Sequence, residues 1–64
     1  MMTKYSVFDI GANNGVDGMA IALANKNLHV YAFEPEPSMI ESIERNYEIL
    51  CSQYGTFDNY TVIP

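Results

Sequence analysis

The chain of 64 residues contains one cysteine, Cys51, and few basic residues. A single cysteine excludes an internal disulfide, so we expect Cys51 to face a core as a small apolar residue. Three lysines and arginines stand against eight aspartates and glutamates, for a formal net charge of −5. Because the positive charges are few and scattered, neither nucleic acid nor an anionic membrane is expected as a partner.

The sequence also lacks a long apolar run, and no secretory leader is expected. Without a run of about 18 apolar residues, no membrane-spanning helix is predicted. The first residues do not place a basic segment before an apolar core, so a cytoplasmic protein is expected. No cluster of metal-ligating residues is present, and no metal site is predicted. The composition, 48% hydrophobic and 17% charged, is that of a globular chain.

Three short apolar segments are rich in aromatic and β-branched residues and predict strands at 5–10, 28–33 and 60–63. After the first strand, apolar residues recur at helical spacing and predict a helix that ends near residues 25–27. Its predicted core face consists of Val16, Met19, Ala20, Leu23 and Ala24.

A second helix is predicted between the second and third strands, where apolar residues again recur at helical spacing. We expect it to begin with Ser38 as its N-cap and Glu41 completing a capping box. Gly55 marks its predicted end.

The resulting order, β-α-β-α-β, predicts an α/β fold with a Rossmann-like, parallel three-stranded sheet in the order 3-2-1. A parallel sheet needs helices on both faces, and this chain offers only two helices. The first strand would also lie at an unpaired edge. We therefore interpret residues 1–64 as the N-terminal half of a larger domain; the alternative is a self-sufficient small domain.

The stretch of residues 8–15, with the sequence FDIGANNG, is predicted to run from a buried strand through a glycine turn into a helix. Glycine accepts the backbone angles of such a turn and lets a ligand approach closely. Asp9 lies at the end of the first strand and Glu34 at the end of the second. Both carboxylates are therefore expected at one sheet edge, where open α/β sheets bind ligands. The competing interpretation is an ordinary turn with two solvated carboxylates.

Two phrases, FDIGANNG at residues 8–15 and VYAFEPEP at residues 30–37, are followed by the pair Arg45-Asn46. This combination resembles the FkbM family of S-adenosylmethionine-dependent methyltransferases, which carries FDIGANxG, then VYAFEPxP, then an RN pair on a helix. The resemblance covers residues 5–64. It implies a class I methyltransferase domain of which this chain is the N-terminal, cofactor-binding half.

The resemblance implies that the cofactor is S-adenosyl-L-methionine and that the first phrase binds its methionine side. Glu34 of the second phrase would hold the ribose hydroxyls. The acceptor would be a hydroxyl group on a small molecule or glycan, such as a sugar or natural product, and the parent protein would be an O-methyltransferase. The catalytic residue is not indicated. The implied cofactor-binding residues are Asp9, Gly11, Asn13, Gly15 and Glu34.

Two other functions are compatible with a glycine turn after a strand. A fragment of an NAD-dependent dehydrogenase should carry G-x-G-x-x-G, but Asn13 stands where the middle glycine belongs. A non-catalytic truncated fragment or small interaction module could instead use the exposed sheet edge. For the isolated chain we expect weak S-adenosylmethionine binding or none, because only the methionine and ribose sides of the site are encoded.

Overall fold

The structure is a computed structural model that describes residues 4–64. Its three strands are parallel and lie in the order β1-β2-β3, which is the predicted 3-2-1 order viewed from the opposite edge. The α/β fold with Rossmann-like topology is therefore confirmed. Neither helix of the described part has the length and apolar character needed to cross a bilayer. The elements are β1 (Tyr5–Ile10), α1 (Val16–Ala24), β2 (Leu28–Phe33), α2 (Pro37–Tyr54) and β3 (Tyr60–Ile63).

Both helices pack against the same face of the sheet. The chain advances in one direction across the sheet at each crossover, and right-handed connections then place both helices on one side. Val30 and Ala32 of the central strand are fully buried in this core, together with Ile43 of α2. The molecule thus has two layers, one of strands and one of helices.

The opposite face of the sheet carries no helix from the described chain, and we call it the open face. Phe8 and Ile10 on this face remain 64% and 76% exposed. The Phe8 ring contacts those of Tyr31 and Phe33, with centroids 5.9 Å apart in both pairs. As predicted, β1 lies at an edge of the sheet. By strand register and alternation, the open face consists of Ser6, Phe8, Ile10, His29, Tyr31, Phe33, Thr61 and Ile63.

The buried face of α1 differs from the predicted one. Gly18, Met19 and Ala22 are buried, whereas Val16 is 43% exposed and Ala20 is exposed as well. The helix approaches the sheet partly through small side chains, so larger apolar residues line the groove between the helices. The prediction assigned the larger apolar residues to the core face. It did not take into account that glycine and alanine allow the helix to approach the sheet closely.

Both helices end close to the predicted positions. The last residue of α1 is Ala24, and the Asn25 amide at its C-cap donates to the Ile21 carbonyl at 3.1 Å. The last residue of α2 is Tyr54, and Gly55 follows with a positive φ of 88°. Glycine accepts this angle without steric cost, so the helix can stop there.

The N-terminus of α2 differs from the prediction. Its N-cap is Glu36, whose carboxylate accepts hydrogen bonds from the Ser38 amide at 3.1 Å and from the Ser38 hydroxyl. Pro37 occupies the first turn, where its missing N–H costs nothing, and the helix therefore starts ahead of Ser38. The predicted capping box of Ser38 and Glu41 is wrong for this reason. The hydrogen bonds from Ser38 lower the pKa of the Glu36 carboxyl. Further along α2, Cys51 packs half-buried against the core, as expected.

Asn59, just before β3, fastens the far end of α1 to the sheet. Its side-chain amide donates to the carbonyls of Ala22, Asn25 and Leu28 at 2.8, 3.1 and 3.0 Å. Asn59 is 3% exposed, so water has little access to replace it as a donor. One side chain therefore fixes the last turn of α1, the loop after it and the start of β2.

We predict that Asn59→Asp destabilises the fold by about 3 kcal/mol or more, because a buried carboxylate would face three carbonyl oxygens without a proton to donate. Urea denaturation followed by circular dichroism measures the loss. Asp58→Asn, at the exposed neighbouring position, is the control and should change stability by less than about 0.5 kcal/mol. Equal stability of Asn59→Asp and the wild type would contradict the tethering role.

Candidate functional site

The segment of residues 11–15, which we call the glycine turn, joins β1 to α1 at the carboxyl edge of the sheet. Three of its residues have positive φ: Gly11 at 69°, Asn13 at 56° and Gly15 at 81°. Glycine and asparagine are the residues that tolerate this left-handed region best. The Gly11 amide donates to the Phe33 carbonyl at 2.9 Å, so the turn folds over the end of β2.

Glu34 connects the glycine turn to the exit of β2. Its Oε1 accepts from the Asn13 amide at 2.8 Å, and its Oε2 accepts from the Glu36 amide at 3.2 Å. The residue is only 6% exposed. The two phrases noticed in the sequence are therefore joined directly by a hydrogen bond between residues 21 positions apart.

Asp9 lies on the helix-covered face of β1, against the first turn of α1. A Cβ added at Gly18 would lie 2.8 Å from the Asp9 Oδ2 atom, so the carboxylate rests against the Gly18 backbone. Glycine inside a helix costs about 1 kcal/mol of helix propensity relative to alanine. The close approach of Asp9 explains why the sequence carries glycine there.

Asn46 of α2 is a residue of the site to which sequence reasoning gave no role. Its side-chain amide donates to the Asn14 carbonyl at 2.9 Å, so α2 holds the glycine turn from one side. The Asn14 side chain in turn accepts from the Val16 amide at 3.2 Å and satisfies the start of α1. The only signal in the sequence was the Arg45-Asn46 pair, which by itself did not indicate what the asparagine contacts.

Tyr60 packs directly against the glycine turn. Its hydroxyl would lie 2.8 Å from a Cβ added at Gly15. The hydroxyl is buried and makes no hydrogen bond with any residue from 4 to 64. Burial, and then the negative charge of Asp9, raise the pKa of Tyr60 to about 12. The turn is thus in contact with β2, α2 and β3.

The carboxyl edge of the sheet is acidic. Asp9 and Glu34 lie at the ends of their strands, and Asp17 lies in the first turn of α1. Lys4 and Lys26 precede β1 and β2, which places both at the opposite, amino edge of the sheet. The carboxyl edge therefore favours cationic groups and hydroxyl donors over phosphates.

Two grooves of the described part lie away from this edge. Two grooves of about 340 and 540 Å³ flank α2, and neither is lined by any of the five predicted cofactor-binding residues. Between residues 4 and 64, no group of histidine, cysteine, aspartate and glutamate side chains could hold a metal ion. Neither groove therefore coincides with the predicted cofactor-binding residues, which lie at the carboxyl edge around Glu34 and the glycine turn.

Comparisons of the chain with protein-family models, curated proteins and solved structures gave no match. The geometry brings Asn13 and Glu34 into direct contact and places Asp9 against α1 at the same edge. Gly11 and Gly15 supply left-handed backbone on either side of Asn13.

We predict that Gly15→Ala destabilises the fold by about 3 kcal/mol or more and Gly11→Ala by only about 1 kcal/mol. Both substitutions place a side chain at positive φ, but a Cβ at Gly11 would meet open space. At Gly15 it would lie within 3.0 Å of Tyr60, Met19 and Ile43. Chemical denaturation of the two variants measures the difference. Equal losses of stability in the two variants would contradict the close packing around Gly15.

We predict that Tyr60→Phe leaves stability at neutral pH unchanged or raises it by up to about 1 kcal/mol, because it removes a buried hydroxyl that has no partner among residues 4–64. Since folding raises the Tyr60 pKa from 10.0 to about 12, stability that depends on the protonated hydroxyl is fully present below pH 10 and is lost as the pH rises toward 12. Unfolding measured at about pH 7 and pH 11 should therefore show a smaller alkaline loss for Tyr60→Phe than for the wild type. Identical pH dependence would refute the assigned environment.

Proposed function

We propose that this chain is the cofactor-binding half of an S-adenosylmethionine-dependent methyltransferase that resembles the FkbM family. The parent protein would transfer a methyl group to a hydroxyl of a small molecule or glycan. The observation that carries the proposal is the 2.8 Å hydrogen bond from the Asn13 amide to Glu34 Oε1. It joins the two phrases of the resemblance into one acidic site at the carboxyl ends of neighbouring parallel strands, the usual ligand position in this fold.

The charge of the site supports this cofactor. S-Adenosylmethionine carries a sulfonium and an ammonium group, both positive, close to its methionine end. Asp9 would attract them through its carboxylate, which lies partly buried beside α1. A Cβ at Gly11 would meet nothing within 4 Å, so the cofactor would have room to approach the backbone there.

Glu34 would hold the ribose. A carboxylate has about four lone-pair positions, and Glu34 uses two of them for the Asn13 and Glu36 amides. The remaining positions could accept the two ribose hydroxyls. The existing hydrogen bonds would keep the carboxylate in place before the cofactor arrives, which reduces the entropy lost on binding.

The cofactor supplies a methyl group on a good leaving group, the sulfonium. The protein's main task is then to align the acceptor oxygen with that methyl group, at about 3 to 3.5 Å. The glycine turn, held by Glu34 and Asn46, would provide a rigid support for one of the two reactants. The adenine contacts, the acceptor pocket and the group that takes the hydroxyl proton would come from the later part of the parent protein.

The site is less suited to the pyrophosphate of a dinucleotide. In that class of site, free helix amides face the phosphates. Here the Val16 amide is occupied by the Asn14 side chain, and Asp17 adds a negative charge to the first turn of α1. Asn13 also gives the turn a side chain where the dinucleotide fingerprint has glycine.

We predict that the isolated chain binds S-adenosylmethionine weakly, with a Kd of about 1 mM, since only one side of the site is present. Nuclear magnetic resonance titration should shift the amide signals of Gly11, Asn13, Gly15 and Glu34. NAD should leave those signals unchanged. Larger shifts with NAD than with S-adenosylmethionine would overturn the proposal in favour of the dehydrogenase.

Glu34→Gln should weaken this binding about tenfold or more, because it replaces one acceptor oxygen with a donor and removes the charge. Glu36→Gln is the matched control, because it removes the same charge two residues further along the chain. The Glu36 carboxylate accepts hydrogen bonds from Ser38 and not from the glycine turn. It should leave the affinity within about twofold. Asp9→Asn should also weaken binding. Equal affinities of Glu34→Gln and Glu36→Gln would remove Glu34 from the ribose site.

A further inference from the structure

The strand β3 forms the edge of the sheet that lies away from β1. The carbonyls of Asn59 and Ile63 accept amides from β2 and from the residue that follows it, at 2.9 and 3.1 Å. Successive residues of a strand direct their backbone groups to opposite sides. The amides and carbonyls of Tyr60 and Val62 therefore face outward, where no other strand of residues 4–64 pairs with them.

The groove of about 340 Å³ lies between α2 and this strand. Its lining consists of Ile43, Glu44, Tyr47, Glu48, Tyr60 and Val62. The two β3 residues whose backbone faces outward thus also direct their side chains to the groove. Edge and groove therefore form one surface, which we call the β3 surface.

We propose that the β3 surface binds an extended segment of a partner protein that carries arginine or lysine at alternate positions. The segment would add a strand to the sheet through hydrogen bonds with the backbone of Tyr60 and Val62, a common mode of peptide recognition. Because side chains alternate along a strand, every second one would lie over the groove beside α2. The groove would therefore read the sequence of the segment, while the edge would bind its backbone.

Charge complementarity selects a basic segment. Glu44 and Glu48 are exposed and lie about one turn apart on α2, and no basic residue lines the groove. The Tyr47 hydroxyl donates to the Phe57 carbonyl at 2.5 Å, which holds the Tyr47 ring in the groove. A guanidinium can stack on such a ring and pair with a neighbouring carboxylate. An acidic segment would instead place like charges against each other.

The rest of the parent domain would leave this edge free. On the proposed function, the strand order reverses beside the ligand crevice, so the later strands would follow β1 and not β3. Pro64, the next residue on the outward side of β3, has no N–H to offer to a further strand of the sheet, and proline in sheets is confined to edges. Pairing with a partner is therefore limited to Tyr60 and Val62. Only this strand order rests on the proposed function.

A peptide that alternates valine with arginine, acetyl-VRVRVR-amide, is the probe. Fluorescence anisotropy of the labelled peptide, titrated with the full chain, should give a Kd of about 100 μM. The same peptide with glutamate in place of arginine should bind at least about tenfold more weakly, and so should the arginine peptide with every backbone amide N-methylated. Binding should shift the amide signals of Tyr60 and Val62 in nuclear magnetic resonance spectra. No S-adenosylmethionine is present, so this test can fail without affecting the proposed cofactor site.

Variants of the chain separate charge from backbone pairing. Removing both carboxylates of the groove, with Glu44→Gln and Glu48→Gln together, should raise the Kd about fivefold. The matched control, Glu41→Gln with Asp17→Asn, removes two exposed carboxylates outside the groove and should change the Kd by less than about twofold. Val62→Pro removes an outward N–H, which an edge strand tolerates, and should weaken binding about tenfold. If Val62→Pro fails to fold, the N-methylated peptide tests the same hydrogen bonds.

Four outcomes would overturn the proposal. The first is no binding of the arginine peptide at about 1 mM chain. The second is equal affinity for the arginine and glutamate peptides, since charge would then not select the segment. The third is equal affinity for the N-methylated peptide, which would show that the groove takes a cationic side chain without an added strand. The fourth is a shift of the β1 amides in place of those of Tyr60 and Val62, which would place the peptide at the other edge of the sheet.

Discussion

The hydrogen bond between the Asn13 amide and the Glu34 carboxylate is the constraint on which the carboxyl edge of this protein depends. It connects the turn after β1 with the exit of β2, and it does so with a residue that is almost fully buried. A buried carboxylate is costly unless its oxygens are satisfied, and both oxygens of Glu34 accept backbone amides. The same atoms that stabilise the turn would therefore also define the proposed ligand site.

The rest of the helical layer is arranged around that turn. Asn46 holds it from α2, and Tyr60 fills the space beneath Gly15. Asn59, one residue earlier, ties the other end of α1 to β2. The short strand β3 and the residue before it thus contact both ends of α1, and the helix is positioned by polar contacts as well as by its small apolar face.

The two faces of the sheet have different properties. The covered face holds the small core and the acidic carboxyl edge, where Asp9 meets Gly18. The open face is mainly aromatic and aliphatic, with Phe8 and Ile10 largely exposed. A contiguous exposed surface of this kind is characteristic of an interaction site.

Local rules were enough to predict the three strands, their parallel order and the glycine turn, because strand propensity, connection handedness and the steric freedom of glycine need no knowledge of distant residues. Asp9 and Glu34 were expected at one sheet edge for the same reason. The buried side of α1 was not predictable in this way, since it depends on how closely Gly18 lets the helix approach the sheet. The contact of Asn46 with the Asn14 carbonyl was equally hidden, because it joins residues 32 positions apart and arises only when separate elements pack together.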